Sequence, residues 1–161
     1  MSKRSVVLAV RLGMALGASA VSAQMPNPYS PSINLEQAKA VAAPAIAEMK
    51  KNGWTMAVAI VDTGGNLIYF EKIDGTQTGS VALSIAKANS AAMYKRETKT
   101  FQDGLAAGGA GLRLLGMSDV VPVEGGVPIL ADGKIIGAIG VSGGTAQQDH
   151  QVASAGAASM K

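Results

Sequence analysis

The sequence predicts an α+β domain, and three observations predict it. Two capping-box patterns, Asn34 with Gln37 and Thr145 with Gln148, each open a helical stretch, one near each end of the chain. Two pairs of β-branched runs are each joined by turn residues, Asp62-Thr63-Gly64-Gly65-Asn66 in the first and Asp132-Gly133 in the second. The order is helix, hairpin, helices, hairpin, helix, which is not the strict strand–helix alternation of a parallel sheet.

The first helix follows from Leu35, Ala38, Val41, Ala42, Ala45, Ile46 and Met49, which recur at helical spacing up to Lys50-Lys51-Asn52-Gly53, a basic last turn with a glycine stop. Pro44 inside it predicts a kink. Trp54 to Asp62 and Asn66 to Lys72 are the strands of the first hairpin. After Asp74-Gly75 a helix is expected from about Ser80 to Tyr94, with Val81, Ile85, Ala88 and Ala92 as a small-residue edge for close packing. Thr98 or Thr100 caps a further helical piece reaching Ala107, which Gly108-Gly109-Ala110-Gly111 breaks, and Leu112 to Leu115 read as a short turn. Val127 to Leu130 and Ile135 to Val141 form the second hairpin, and an Ala-rich helix closes the chain.

The N-terminus reads as a cleavable secretory signal over residues 1–23. Lys3 and Arg4 form a short basic region, an apolar run follows from Val6 to about Ala20, and Val21 and Ala23 fit the small-residue cleavage pattern. A spanning helix needs roughly 20 apolar residues; this run is shorter, broken by glycine and charged at Arg11. Export to the periplasm or the medium is therefore expected, with no membrane span after cleavage. Residues 24–33, with three prolines at 26, 28 and 31, read as an extended arm, and residues 34–161 as one domain.

Composition narrows the function. The chain carries 14 Lys+Arg and 11 Asp+Glu, but Lys3, Arg4 and Arg11 leave with the signal, so 14 less 3 leaves 11 bases against 11 acids. No basic field remains for nucleic acid. With no cysteine, a thiol nucleophile, a Cys-ligated zinc or iron–sulfur site and covalent c-type haem are excluded. No strand leads into a G-x-G-x-x-G or a G-x-x-x-x-G-K-[ST] pattern, so neither NAD nor ATP is expected as a cofactor. No serine occupies a strand–turn–helix context suited to a catalytic triad.

The candidate site residues are few. Gly125 and Gly126, before Val127, and Gly143 and Gly144, before the last helix, either are plain loop glycines or bring backbone N–H groups to a ligand; the second pair lies where a helix N-terminus favours a carboxylate or propionate. Lys87, Lys95, Arg96, Glu97 and Lys99 form a charged stretch about one helix end. It is either a solvated turn or an anion site in which Arg96 clamps a carboxylate. Glu124 is a candidate base or metal ligand, and His150, the single histidine, is either a solvated helix residue or an axial metal ligand.

Together the motifs carry a resemblance. Ala59-Ile60-Val61-Asp62-Thr63-Gly64-Gly65-Asn66-Leu67, then Asp74-Gly75, Ile85-Ala86-Lys87-Ala88, Gly125-Gly126-Val127-Pro128-Ile129, Gly137-Ala138-Ile139-Gly140-Val141-Ser142-Gly143 and Gln148-Asp149 occur in one order. In this the chain resembles the GlcG/HbpS haem-binding-like family, related to the C-terminal domain of PduO-type proteins, over about residues 34–161. The resemblance implies a profilin-like fold with a central antiparallel sheet of about five strands flanked by helices. It further implies homo-oligomers and a haem or other tetrapyrrole ligand. Where the family often has an aromatic residue followed by Arg-Pro-Thr, Tyr94, Arg96 and Thr98 match and Glu97 replaces the proline.

The expected function is that of an exported haem- or tetrapyrrole-binding protein, with Arg96, Thr98 and the two glycine pairs meeting the cofactor. One alternative is a small periplasmic enzyme, isomerase-like, or a dehydrogenase accessory factor acting on a carboxylated metabolite, with Glu124 as base and Arg96 as clamp. Another is a structural oligomeric subunit with the Val81–Ile85–Ala88–Ala92 edge against a sister chain.

Overall fold

The computed structural model describes residues 26–160; the expected signal peptide lies outside the described residues. Helix α1 (Leu35–Lys51) starts at Asn34, whose side chain accepts from the Gln37 N–H while Gln37 Oε1 accepts from the Asn34 N–H. This is the expected capping box, and the helix continues across Pro44. Strands β1 (Ala57–Asp62) and β2 (Leu67–Lys72) form the first hairpin, followed by α2 (Ser80–Tyr94), α3 (Thr98–Ala106) and a 3-10 segment (Gly109–Gly116). Strands β3 (Gly126–Ala131) and β4 (Lys134–Ser142) form the second hairpin. Its turn places Asp132 at φ 48° and Gly133 at φ 70°, the two positive values that a two-residue turn of matching twist requires. Helix α4 (Ala146–Ala157) closes the fold behind the Thr145–Gln148 capping box.

The four strands make one antiparallel sheet in the order β2-β1-β4-β3. Strand β1 pairs with β4 from Ala57 opposite Ser142 to Asp62 opposite Gly137. The α+β class holds, but the expectation of about five strands is corrected to four among the described residues. Beyond the end of β1, the open edge of β4 is met by the N-terminal arm through a single parallel bridge, Tyr29 to Ile135. Ser30 N–H donates to the Ile135 carbonyl at 2.9 Å, Ile135 N–H to the Pro28 carbonyl at 2.8 Å, and Ile33 N–H to the Ile136 carbonyl at 2.7 Å. The prolines at 28 and 31 flank this bridge and have no N–H to continue a ladder, so the arm satisfies the edge without becoming a strand.

Helices cover both faces of the sheet. Val58, Ile60, Ile139 and Val141 point with Val127 and Ile129 into one apolar layer under Val41, Ala45 and Met49 of α1 and Val152 and Ala153 of α4. On the other face Val61 and Ala138 meet Ala88, Ala91 and Ala92 of α2. The strands alternate between these two layers, which is why β1 is buried from Ala57 to Val61 without a polar interruption. The approach of α2 is set by Gly140, where an added Cβ would sit 2.5 Å from the Ala88 nitrogen and also against the Ser84 carbonyl. The small-residue edge of α2 is thus divided: Ala88 and Ala92 are fully buried against the chain's own sheet, leaving Val81 and Ile85 half-buried. Ala88 and Ala92 therefore do not face outward, as a sister-subunit contact along that edge requires.

Candidate functional site

A groove of about 920 Å3 runs between the start of β3 and β4, the turn from α2 to α3, and the end of α4. Val127, Pro128, Leu130, Ile135, Ala157 and Met160 give it apolar walls, while Lys95, Arg96, Glu97, Thr100 and Ser154 supply its polar groups. Pro26 and Asn27 of the arm close one side. The volume falls in the range of roughly 300–1,000 Å3 that cofactor-sized ligands occupy.

Arg96 reaches this groove because α2 ends abruptly. Lys95 takes a left-handed conformation at φ 55°, ending the helix and turning the chain toward α3. Arg96 Nε then donates to the Tyr94 carbonyl at 3.0 Å, and its guanidinium lies 5.8 Å from the Phe101 ring centroid. The Lys95 ammonium sits 4.1 Å over the Tyr29 ring. Glu97, at the position where the resemblance anticipates proline, is exposed along the groove and reaches within 3.9 Å of His150 Nε2.

Behind that wall lies a polar cluster. His150 is held on the first turns of α4, with its Nδ1 3.8 Å from Glu124 Oε1. That nitrogen is buried and has no hydrogen-bond partner. Glu124 is 4% exposed, and its backbone N–H donates to Gln102 Oε1 of α3 at 2.9 Å. The structure therefore brings Glu124, His150 and Glu97 together, with a carboxylate near each ring nitrogen. The carboxylates face different ring nitrogens, and no group of three or more metal-binding side chains converges on one point among the described residues.

The glycine pairs and Thr98 serve packing. Thr98 is buried, and its Oγ1 accepts from the Gly126 N–H at 2.8 Å. A Cβ on Gly126 would press on the Lys87 carbonyl and stand 2.7 Å from Thr98 Cγ2. Gly125, at φ 121°, passes so close to the α2–α4 contact that an added Cβ would stand 2.9 Å from Lys87 Nζ. The Gly144 N–H donates to Asp149 Oδ1 at 2.9 Å, so the amide ahead of α4 binds that helix's own carboxylate. Arg96 lines the groove; Thr98, Gly125, Gly126, Gly143 and Gly144 do not.

One residue departs sharply from the solvated charged turn. Lys87 is fully buried, donating to Asp149 Oδ2 at 2.7 Å and to the Val141 carbonyl at 3.0 Å. This pair ties α2 to β4 and α4 directly beneath Gly125. Burial pushes the Asp149 carboxyl above its ordinary value, against the pull of Lys87 and of the Gly144 and Gly143 N–H groups. The signal was present in helical phase: Ser80, Ser84, Lys87 and Ala91 share one stripe of α2, and all are buried.

With this geometry in view, comparison with known proteins is decisive. Residues 33–158 match the family model described as haem degrading protein HbpS-like. The chain belongs to the HbpS-like family. Among its relatives, Protein GlcG of Escherichia coli (strain K12) is 37% identical over 110 residues, covering 68% of this chain and 81% of that protein. The crystal structure of a double mutant of HbpS from Streptomyces reticuli superposes with a TM-score of 0.75 at 27% identity, covering 99% of each chain. A crystal structure of a PduOC:Heme complex superposes at 0.72 and 24% identity, covering 81% of this chain and 96% of that one, and shows the shared fold.

Proposed function

We propose that this member of the HbpS-like family is an exported haem- or tetrapyrrole-binding protein that takes its ligand in the groove between β3, the α2–α3 turn and the end of α4. The carrying observation is the groove's donor set: an apolar surface from Val127 to Met160 beside two cations, Lys95 and Arg96. A tetrapyrrole presents the complement, a flat apolar ring with propionates along one edge. Burial of ring area supplies the affinity, and the guanidinium matches a carboxylate with two parallel donors. Bound iron would supply redox and oxygen chemistry to the site. Export is supported by the secretory pattern of residues 1–23.

Titration of the protein with haemin is expected to shift the Soret band and saturate at one haem per chain. Replacing both Lys95 and Arg96 by alanine is expected to weaken binding about tenfold, a change of about 1.4 kcal/mol. A spectrum identical to free haemin at stoichiometric protein would overturn the proposal. Self-association belongs to the same reading: Leu112 and Leu115 of the 3-10 segment stand 54% and 70% exposed. Light scattering that gives the mass of one chain would count against it.

A further inference from the structure

The two cations of the groove stand on a turn that the N-terminal arm holds from outside. Lys95 ends α2 in a left-handed conformation at φ 55°, a place where glycine or asparagine is the usual residue. A lysine there carries a conformational cost, and such costs gather where a side chain has to be aimed. Its ammonium rests 4.1 Å from the centre of the Tyr29 ring, and among the described residues no carboxylate pairs with it. The same tyrosine fixes the backbone of that turn. Its hydroxyl donates to the Ala92 carbonyl at 2.7 Å, the acceptor that the Lys95 N–H also uses at 3.4 Å. Tyr29 belongs to the arm whose Pro26 and Asn27 wall the groove, and it bridges to Ile135, a further lining residue. Tyr29 itself does not line the groove; its partners Lys95 and Ile135 do.

We infer, resting on the reading of the groove as a site for a carboxylated tetrapyrrole, that Tyr29 is its positioning residue. The ring seats the Lys95 ammonium at the groove's edge for a ligand carboxylate, and the hydroxyl fastens the arm that forms one wall. A free lysine side chain is long and rich in rotamers, and ordering it on binding subtracts from affinity. The ring orders it beforehand. An ammonium has more N–H donors than a ring face occupies, so the seated Lys95 keeps a donor for the incoming carboxylate. The ligand acts on the arm in return. Pro26 and Asn27 meet it only while the arm is docked, so an occupied groove holds the arm against the sheet by mass action.

The test compares the full protein with Tyr29→Phe and Tyr29→Leu, each alone and combined with Lys95→Met, by titration with ferric haemin. Both substitutions remove the hydroxyl and only Tyr29→Leu removes the ring, so the difference between them reports the seat of Lys95. Tyr29→Leu is expected to bind haemin about threefold to fivefold more weakly than Tyr29→Phe, the effect of one exposed cation–π contact. With Lys95→Met in place the two are expected to bind alike. Tyr29 is 40% exposed, so neither variant empties the core. Amide exchange of the wild type is followed alongside. Saturating haemin is expected to slow the Ser30, Ile33 and Ile135 N–H groups and to leave the Gly53 N–H, at the end of α1, unchanged. Equal binding by Tyr29→Phe and Tyr29→Leu, or a difference that persists with Lys95→Met, overturns the seating of Lys95. Unchanged exchange at Ser30, Ile33 and Ile135 overturns the role of the arm as a wall. Absence of any haem spectrum in the wild type overturns the haem reading on which both depend.

Discussion

Lys87 and Asp149 show how a single charged residue can be misread from its neighbours along the chain. Lys87 precedes a basic turn, which suggests a solvated ammonium, yet its 3.6-residue phase places it with Ser84, Ala88 and Ala91 facing the sheet. The side chain is 0% exposed and its partner 4%. Two charges taken so far from water cost several kcal/mol each and hold together only as a pair. Lys87→Met is therefore expected to destabilise the protein by about 3–5 kcal/mol, measured by urea unfolding, because Asp149 would be left buried without its cation, forced either to hold an unpaired charge or to take up a proton, with only the Gly144 and Gly143 N–H groups to meet it. The double substitution Lys87→Met with Asp149→Leu is expected to recover much of that loss, since it removes both desolvated charges. A double variant as unstable as the sum of the two singles would mean that the pair is not coupled. The same reasoning explains why Gly125 and Gly126 were legible as special positions but not as packing positions. The residues that crowd them, Lys87 and Thr98 earlier in the chain and Asp149 and Val141 later, are all distant in sequence, so spacing carries no trace of the contact.

At the scale of elements, the hairpins and capped helices were the legible part, because their determinants are local. The first hairpin turn is held by Asp62, whose Oδ1 accepts from the Gly64 and Asn66 N–H groups, each at 2.8 Å, while Asn66 Nδ2 donates to both carboxylate oxygens. Burial pushes the Asp62 carboxyl up, but these hydrogen bonds outweigh it and hold the group below its ordinary value. A depressed folded-state value means that the unfolded chain binds the proton more readily. The contribution is therefore complete above the ordinary carboxylate range and is lost as pH falls through the depressed value. Asp62→Ala is expected to cost about 1 kcal/mol at neutral pH, with the gap to wild type narrowing as thermal unfolding is followed into strong acid. A gap that stays constant with pH would assign the turn's stability to backbone conformation instead. The contact between α2 and β4 was not legible, because it depends on how close two distant elements come. Gly140→Ala is expected to force them apart and lower stability by about 1–3 kcal/mol, whereas Gly79→Ala, at φ −63° with open space around it, should leave the unfolding midpoint nearly unchanged.

The whole molecule is closed by its N-terminal arm, and this closure also completes the groove. The groove draws on residues 26–27, 95–100, 127–135 and 154–160, four segments that no local pattern connects, so its existence could not be read from the chain while Arg96, one of its cations, could. Tyr29 is the joint of this assembly. Its hydroxyl donates to the Ala92 carbonyl at 2.7 Å and reaches the Met93 carbonyl at 3.2 Å, satisfying the end of α2, while the arm backbone meets Ile135 on the sheet. Tyr29→Phe keeps the ring under the Lys95 ammonium but removes the hydroxyl, so the expected global loss is only about 1 kcal/mol. The local effect should be larger than the global one, because the arm is tied by few bonds and opens without unfolding the sheet. Amide hydrogen exchange tests this directly. The Ile135, Ser30 and Ile33 N–H groups, which bridge arm and sheet, are expected to exchange faster in Tyr29→Phe. The Val141 N–H, bonded to the Gly125 carbonyl on the far side of the fold, should keep its protection. Equal acceleration at both places would show that Tyr29 stabilises the domain as a whole, and no acceleration at Ile135 would show that the sheet edge alone holds the arm in place.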